Sequence, residues 1–162
     1  MSNISSEISM ALRYRPQTFS QLIGQEGMVI SIQNAIKLKR IPNAYLLTGI
    51  RGTGKTTTAR IIAKAINCKV GFALDNKNQD KEFCKCDNCQ AITNSNHIDI
   101  LEMDAASKTG IDDIRELIEN SKYSPTNAKY KIFIIDEVHM LSKQAFNGLL
   151  KTLEEPPPSL KF

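Results

Sequence analysis

The sequence predicts an α/β fold with a mostly parallel sheet flanked by helices. Three observations carry this. Short apolar runs of strand length alternate with segments of helical period. One run, Ile132-Phe133-Ile134-Ile135, is apolar on both faces, as a central strand covered by helices on either side has to be. A glycine-rich loop and an acidic pair each follow a strand-like run, and open α/β sheets bind ligands at the carboxyl ends of their strands. The length, 162 residues, corresponds to about one domain.

Taken in order, Met1 to Glu7 read as a frayed terminus. Pro16 pushes Arg15 out of the helical region, so Tyr14 to Phe19 is an extended lead-in. From Gln25 to Arg40, Val29, Ile32 and Ile36 recur at helical spacing, and Pro42 ends the helix. Ala44 to Thr48 is a short strand, and Thr56 to Asn67 a helix with Ala59, Ile62, Ala63 and Ile66 on one face. Residues 68–89 are polar, carry every cysteine and show no period, which marks an insertion rather than a core element. Ile98 to Met103 is a second strand, and Ile111 to Tyr123 a helix preceded by Thr109 and Asp112 at capping-box spacing. Lys131 to Asp136 is a third strand, and Ser142 to Glu154 a helix stopped by Pro156-Pro157-Pro158.

Composition is that of a globular protein, 41% hydrophobic and 23% charged. The net charge of +4, from 21 basic and 17 acidic residues, tolerates a nucleic-acid partner without demanding one. No run reaches the ~18 apolar residues of a membrane span, and Met1 to Met10 lacks the apolar stretch of a signal peptide. A cytoplasmic protein without membrane contact is expected, in which four cysteines are metal ligands or thiols rather than disulfides.

Gly49-Ile50-Arg51-Gly52-Thr53-Gly54-Lys55-Thr56 is a complete P-loop pattern set between a predicted strand and a predicted helix. Glycines let the backbone curl until successive N–H groups face phosphate oxygens, and the following helix adds its positive end. Lys55 then reaches the β- and γ-phosphates of ATP, the Thr56 hydroxyl ligates Mg2+, and Thr57 completes the expected nucleotide-binding set. The second motif is Asp136-Glu137. An acid at the end of a buried strand opposite a P-loop can hold the Mg2+ shell, and the next one can polarise a water for attack on the γ-phosphate. Lys55, Asp136 and Glu137 are the expected catalytic residues. His139 could help sense nucleotide or be a satisfied packing residue, and the packing reading is the one favoured.

Cys68, Cys84, Cys86 and Cys89 can complete a closed tetrahedral zinc site. Cys86 and Cys89 have knuckle spacing, while the one-residue gap between Cys84 and Cys86 is unusual. Zinc would staple an insertion with little core of its own, with His97 as a reserve ligand.

Together these residues resemble the N-terminal ATPase region of the gamma/tau subunits of bacterial DNA polymerase III, which are AAA+ clamp loaders. The resemblance runs through Tyr14-Arg15-Pro16-Gln17-Thr18-Phe19, Gly24-Gln25-Glu26, the P-loop, Asn67-Cys68, Cys86-Asp87-Asn88-Cys89, Glu102 to Ser107, Asp136 to Leu141 and Leu149 to Pro157. It covers nearly the whole chain. It implies a P-loop NTPase fold of the AAA+ type with a zinc-binding insertion, and it adds Tyr14, Arg15, Pro16, Gly24 and Gln25 as residues beside the adenosine. It implies ATP, Mg2+ and Zn2+ as cofactors. The implied partners are other clamp-loader subunits, the sliding clamp, primer-template DNA and the polymerase core through regions beyond this chain. In the family the cysteine before the last pair usually sits two residues away from it, whereas Cys84 sits one residue from Cys86.

By this resemblance residues 1–162 are a truncated AAA+ domain. The strand expected after Phe162 carries a polar sensor in the family, and an arginine finger, a lid and an oligomerisation collar follow. In AAA+ sheets that strand lies between the P-loop strand and the Asp-Glu strand, so an open edge and lowered stability are expected there. The polymerase label implied is one of holoenzyme membership, since Asp136-Glu137 alone do not make a two-metal nucleotidyl-transfer site. Alternatives are a nucleotide-binding AAA+ fragment without turnover of its own, another AAA+ DNA motor such as a branch-migration helicase, and a small-molecule kinase. Glu137 weighs against the kinase, and the cysteine insertion against the other motor.

Overall fold

Hydrophobic patterning builds a three-stranded parallel sheet in this computed structural model, which describes residues 10–71, 84–108 and 110–162. β1 (Ile100–Asp104), β2 (Lys131–Asp136) and β3 (Leu160–Lys161) lie in the order β1-β2-β3. Ile100 pairs with Ile132, Asp104 with Asp136, and Lys131 with Leu160. Among the described residues six segments are α-helical: α1 (Met10–Arg13), α2 (Glu26–Lys37), α3 (Lys55–Asn67), α4 (Asp87–Thr93), α5 (Ile111–Ser121) and α6 (Lys143–Glu154). Among the described residues no helix is long and apolar enough to cross a membrane.

The period-2 alternation of β2 divides the core. Phe133 faces α5 and α6, in a cluster with Ile114, Leu117, Ala145 and Leu149. Ile132 and Ile134 face the opposite way, onto Ala63 of α3 and Ile92 of α4. A third layer forms where α2 and the lead-in cover the outside of α3, with Phe19, Val29 and Ile32 against Ile61, Ile62 and Ala65. The α/β architecture with a covered central strand is therefore present, and β2 spans Lys131–Asp136 as read from the sequence.

Three expectations differ from what is seen. Ala44 to Thr48 is not a strand. Among the described residues its backbone is tied by Tyr45 N–H to Phe162 O (2.9 Å), next to a bond from Phe162 N–H to Asn43 O (2.8 Å). Past Phe162 a cavity of about 1050 Å3 separates it from Ile132–Ile135, and an extended segment without a ladder partner is not a strand. Residues 68–89 are not all loop: α4 begins inside them and buries Asn88, Cys89 and Ile92. Seven residues are too few to display a helical period. Finally, Thr109 lies outside the described residues, and the N-cap of α5 is Gly110, with no side-chain bond; Asp112 and Asp113 instead place negative charge on the first turn. At α6 the cap is side-chain made, Ser142 Oγ accepting from Ala145 N–H.

Asp99, just ahead of β1, is 1% exposed. Its carboxylate accepts N–H bonds from Thr126 (2.8 Å), Asn127 (2.7 Å) and Ala128 (2.9 Å), fixing the turn that feeds β2. Burial pushes this carboxyl up, but the three amides and nearby His97 outweigh it and hold the group below its ordinary 3.8. A folded pKa below the unfolded one gives stability that is complete above that unfolded value and lost as pH falls through the folded one. Asp99→Asn is expected to cost about 2–4 kcal/mol at neutral pH, since an amide keeps one acceptor oxygen and turns an NH2 toward at least one of the three N–H donors. In urea unfolding the gap between variant and parent should narrow below about pH 4; a gap independent of pH would remove Asp99 from the acid response.

Candidate nucleotide site and cysteine cluster

The loop between Thr48 and α3 needs its glycines. Gly49 has φ +147°, and a Cβ there would lie 3.1 Å from Thr53 Oγ1. Gly54, the N-cap of α3, has φ +82°, and no side chain caps the first amides of α3 there. Thr53 Oγ1 donates to Ile50 O (3.0 Å), and Lys55 Nζ donates to the Gly49 and Ile50 carbonyls, both at 3.0 Å. The lysine thus folds back on the loop, and Gly49, Arg51, Lys55 and Thr56 border one cavity.

The acidic pair meets this loop. Thr56 Oγ1 donates to Asp136 Oδ2 at 2.6 Å, although 80 residues separate them. Asp136 Oδ1 accepts from Glu137 N–H (3.0 Å). Glu137 itself adopts φ +50°, a left-handed corner uncommon outside glycine, which swings its carboxylate off the strand axis. Gly49, Lys55, Thr56, Asp136 and Glu137 all border the same cavity.

His139 corrects the sequence reading. Its ring is 69% exposed, with Nε2 3.5 Å from Glu137 Oε2, so it is not a packing residue. Arg51 also borders the cavity, while Ile50, Gly52, Thr53 and Gly54 do not, and Ile50 is 80% exposed. Thr57 is buried, at 9% exposed, so its side chain faces the interior. Tyr14, Arg15, Pro16, Gly24 and Gln25 do not border the cavity, and Tyr14 is 70% exposed. The lead-in is instead fastened along α3, through Phe19 and through Lys64 Nζ, which donates to Gln17 Oε1 at 2.5 Å. Gln17 Nε2 in turn donates to Arg15 O (3.1 Å). Sequence reasoning missed Lys64, which is 2% exposed and whose ammonium burial pulls down to about 8.

The four cysteines converge. Their sulfurs all lie within 4.8 Å of one another, with Cys68 Sγ 3.4 Å from Cys84 and 4.0 Å from Cys86. A tetrahedral site with metal–sulfur bonds of about 2.3 Å has sulfurs about 3.8 Å apart, so the donor set fits a thiophilic ion such as zinc. The one-residue gap before Cys86 does not keep Cys84 out. Burial raises the Cys86 thiol, but the amides of Cys89 and Lys69 and the neighbouring thiols outweigh it and bring it to about 6, while burial and Cys86 push Cys89 up. His97 stands apart from the cluster: it is buried, with Nδ1 accepting from Asp99 N–H (3.0 Å).

Comparison with known proteins places this geometry. A protein-family model described as DNA polymerase III, delta subunit, matches residues 24–162. The chain is 49% identical over 153 residues to the DNA polymerase III subunit gamma of Buchnera aphidicola subsp. Baizongia pistaciae, covering 94% of this chain and 40% of that protein. It is 45% identical over 153 residues to the subunit tau of Escherichia coli K12, covering 94% of this chain and 23% of that protein. Against the subunit tau of Bacillus subtilis 168 it is 48% identical over 149 residues, 92% of this chain and 25% of that protein. It thus spans less than half the length of each of these relatives. The chain belongs to the DNA polymerase III subunit family that the matching model describes, with bacterial gamma and tau subunits among its relatives.

Proposed function

We propose that this chain is the ATP-binding and ATP-hydrolysing part of an AAA+ clamp-loader subunit of the bacterial DNA polymerase III holoenzyme. One observation carries the reading: the P-loop threonine and the strand-end aspartate, far apart in sequence, meet at 2.6 Å on the rim of one cavity. In this reading the α3 amides and Lys55 hold the triphosphate, Thr56 and Asp136 hold Mg2+, and Glu137 takes up a proton from the attacking water. Mg2+, when bound, would supply charge neutralisation between the β- and γ-phosphates. Lys55 leaves the Gly49 and Ile50 carbonyls for phosphate oxygens. Glu137 and His139, 3.5 Å apart, both border the cavity, which leaves the Glu137 carboxylate on the side where the water would stand in this reading.

Zinc held by Cys68, Cys84, Cys86 and Cys89 is proposed as a structural ion that fixes α4 on α3. Other clamp-loader subunits, the sliding clamp, primer-template DNA and the polymerase core are the proposed partners, by relation to proteins named gamma and tau subunits.

Titration calorimetry with Mg·ATP, paired with phosphate release from Glu137→Gln, tests the reading. The variant should keep ATP affinity within about threefold and lose turnover by at least about a hundredfold, the range set by removing a general base. A folded chain that binds no Mg·ATP, or a variant that turns over as its parent does, would overturn it.

A further inference from the structure

α3 and β2 are fastened to each other at both ends. At the site end the fastening is Thr56 to Asp136. At the far end stands Asn67, the last residue of α3, beside Tyr130, the residue preceding β2. Asn67 Nδ2 donates to Tyr130 O and Asn67 Oδ1 accepts from Tyr130 N–H, both at 2.9 Å. One side-chain amide thus satisfies both backbone groups of a single residue, as a neighbouring strand would. A second amide grips the first: Asn88 Nδ2 donates to Asn67 O (3.0 Å) and to Asn127 O (3.3 Å). Both asparagines are 3% exposed, and Asn88 lies between Cys86 and Cys89.

A helix and a strand are stiff along their axes, so a slide at one end is transmitted to the other. Thr56 and Asn67 are about 16 Å apart along α3, and Tyr130 and Asp136 about 20 Å apart along β2. A displacement at Asn67 therefore reappears, nearly undiminished, between Thr56 Oγ1 and Asp136. Mg2+ demands near-ideal ligand geometry at about 2.0–2.1 Å and tolerates such a displacement poorly.

We infer that Asn67, backed by Asn88, is a positioning residue that sets the axial register of the P-loop helix against the acidic strand. Through that register it governs the Mg2+-dependent part of nucleotide binding. The inference rests on the ATPase reading for its ligand, but not for its geometry. Asn67 touches neither Thr56 nor Asp136, so its influence passes through the two elements.

The test is the ratio of ATP affinities measured with Mg2+ and in Mg2+-free buffer. Asn67→Asp keeps the shape and the acceptor but turns the donor facing Tyr130 O into a second acceptor. It should shrink the ratio by about fivefold or more and leave Mg2+-free binding nearly unchanged, as a misplaced ligand does. Leu117→Ala, a buried change on α5 with no bond to Asn67, Asn88 or the turn before β2, should lower Tm and leave the ratio alone. An unchanged ratio in a folded Asn67→Asp chain overturns the inference. If the parent binds no Mg·ATP, the ATPase reading fails separately, and a thermal double-mutant cycle decides the register. The Tm shift of Thr56→Val should fall to about half in the Asn67→Asp background, whereas additive shifts overturn the inference. Should Asn67→Asp fail to fold, Asn88→Asp serves in the same measurements, since it loosens the grip on Asn67 and spares the Tyr130 bonds.

Discussion

Lys55→Ala is expected to weaken Mg·ATP binding by about a hundredfold while the chain stays folded. The ammonium makes only two bonds, both to loop carbonyls, and stands at the cavity rim, so little packing is lost with it. Its proposed contribution is to the ligand. A unit charge about 4 Å from a phosphate oxygen interacts by roughly 4 kcal/mol at the dielectric of a protein surface, and part of that is offset by desolvation. A remainder near 3 kcal/mol corresponds to about two decades in affinity. Calorimetry on parent and variant, with Tm recorded on the same samples, reads both quantities. Affinity retained within about threefold would mean that Lys55 does not engage phosphate. A Tm drop beyond about 5 °C would mean instead that the lysine supports the loop.

Cys89→Ser carries the second large effect. Cys89 is 1% exposed, sits on the first turn of α4 and packs that helix onto α3. If the four sulfurs hold zinc, the variant should lose stoichiometric metal, and α4 its anchor. A ligand at a thousandfold over its Kd adds about 4 kcal/mol to stability. For a chain of this size that corresponds to a Tm fall of about 10 °C. Metal content by mass spectrometry and a thermal scan give the two readouts, with His97→Ala expected to keep its metal. A parent that takes up no zinc even when it is supplied, with a variant of equal Tm, would reduce the cluster to four packed thiols.

What could be read in the sequence was what local pattern encodes. β2 announced itself by four apolar residues in a row, α2 and α3 by one-sided spacing, and the P-loop by glycines whose φ values only glycine adopts comfortably. The residues it missed depend on distant partners. Lys64 sits in a helix where a lysine ordinarily faces water, but Gln17, 47 residues away, receives it in the interior. Asn67 reads as a helix end, and only the fold sets Tyr130 against its amide. Ala44–Thr48 has strand composition without a strand's neighbour. His139 lies two residues past the left-handed corner at Glu137, and its side chain is 69% exposed, which no local pattern signals.

The fastening of Asn43 and Tyr45 to the segment at Phe162 also has a consequence for biosynthesis. Lys161 Nζ reaches Asn43 Oδ1 at 2.7 Å across 118 residues. A ribosome adding about 5–20 residues per second needs roughly 6–24 s to cover that distance. For that interval the segment leading into the P-loop has none of these partners. The Asn43–Phe162 side of the cavity is thus fastened late on the nascent chain.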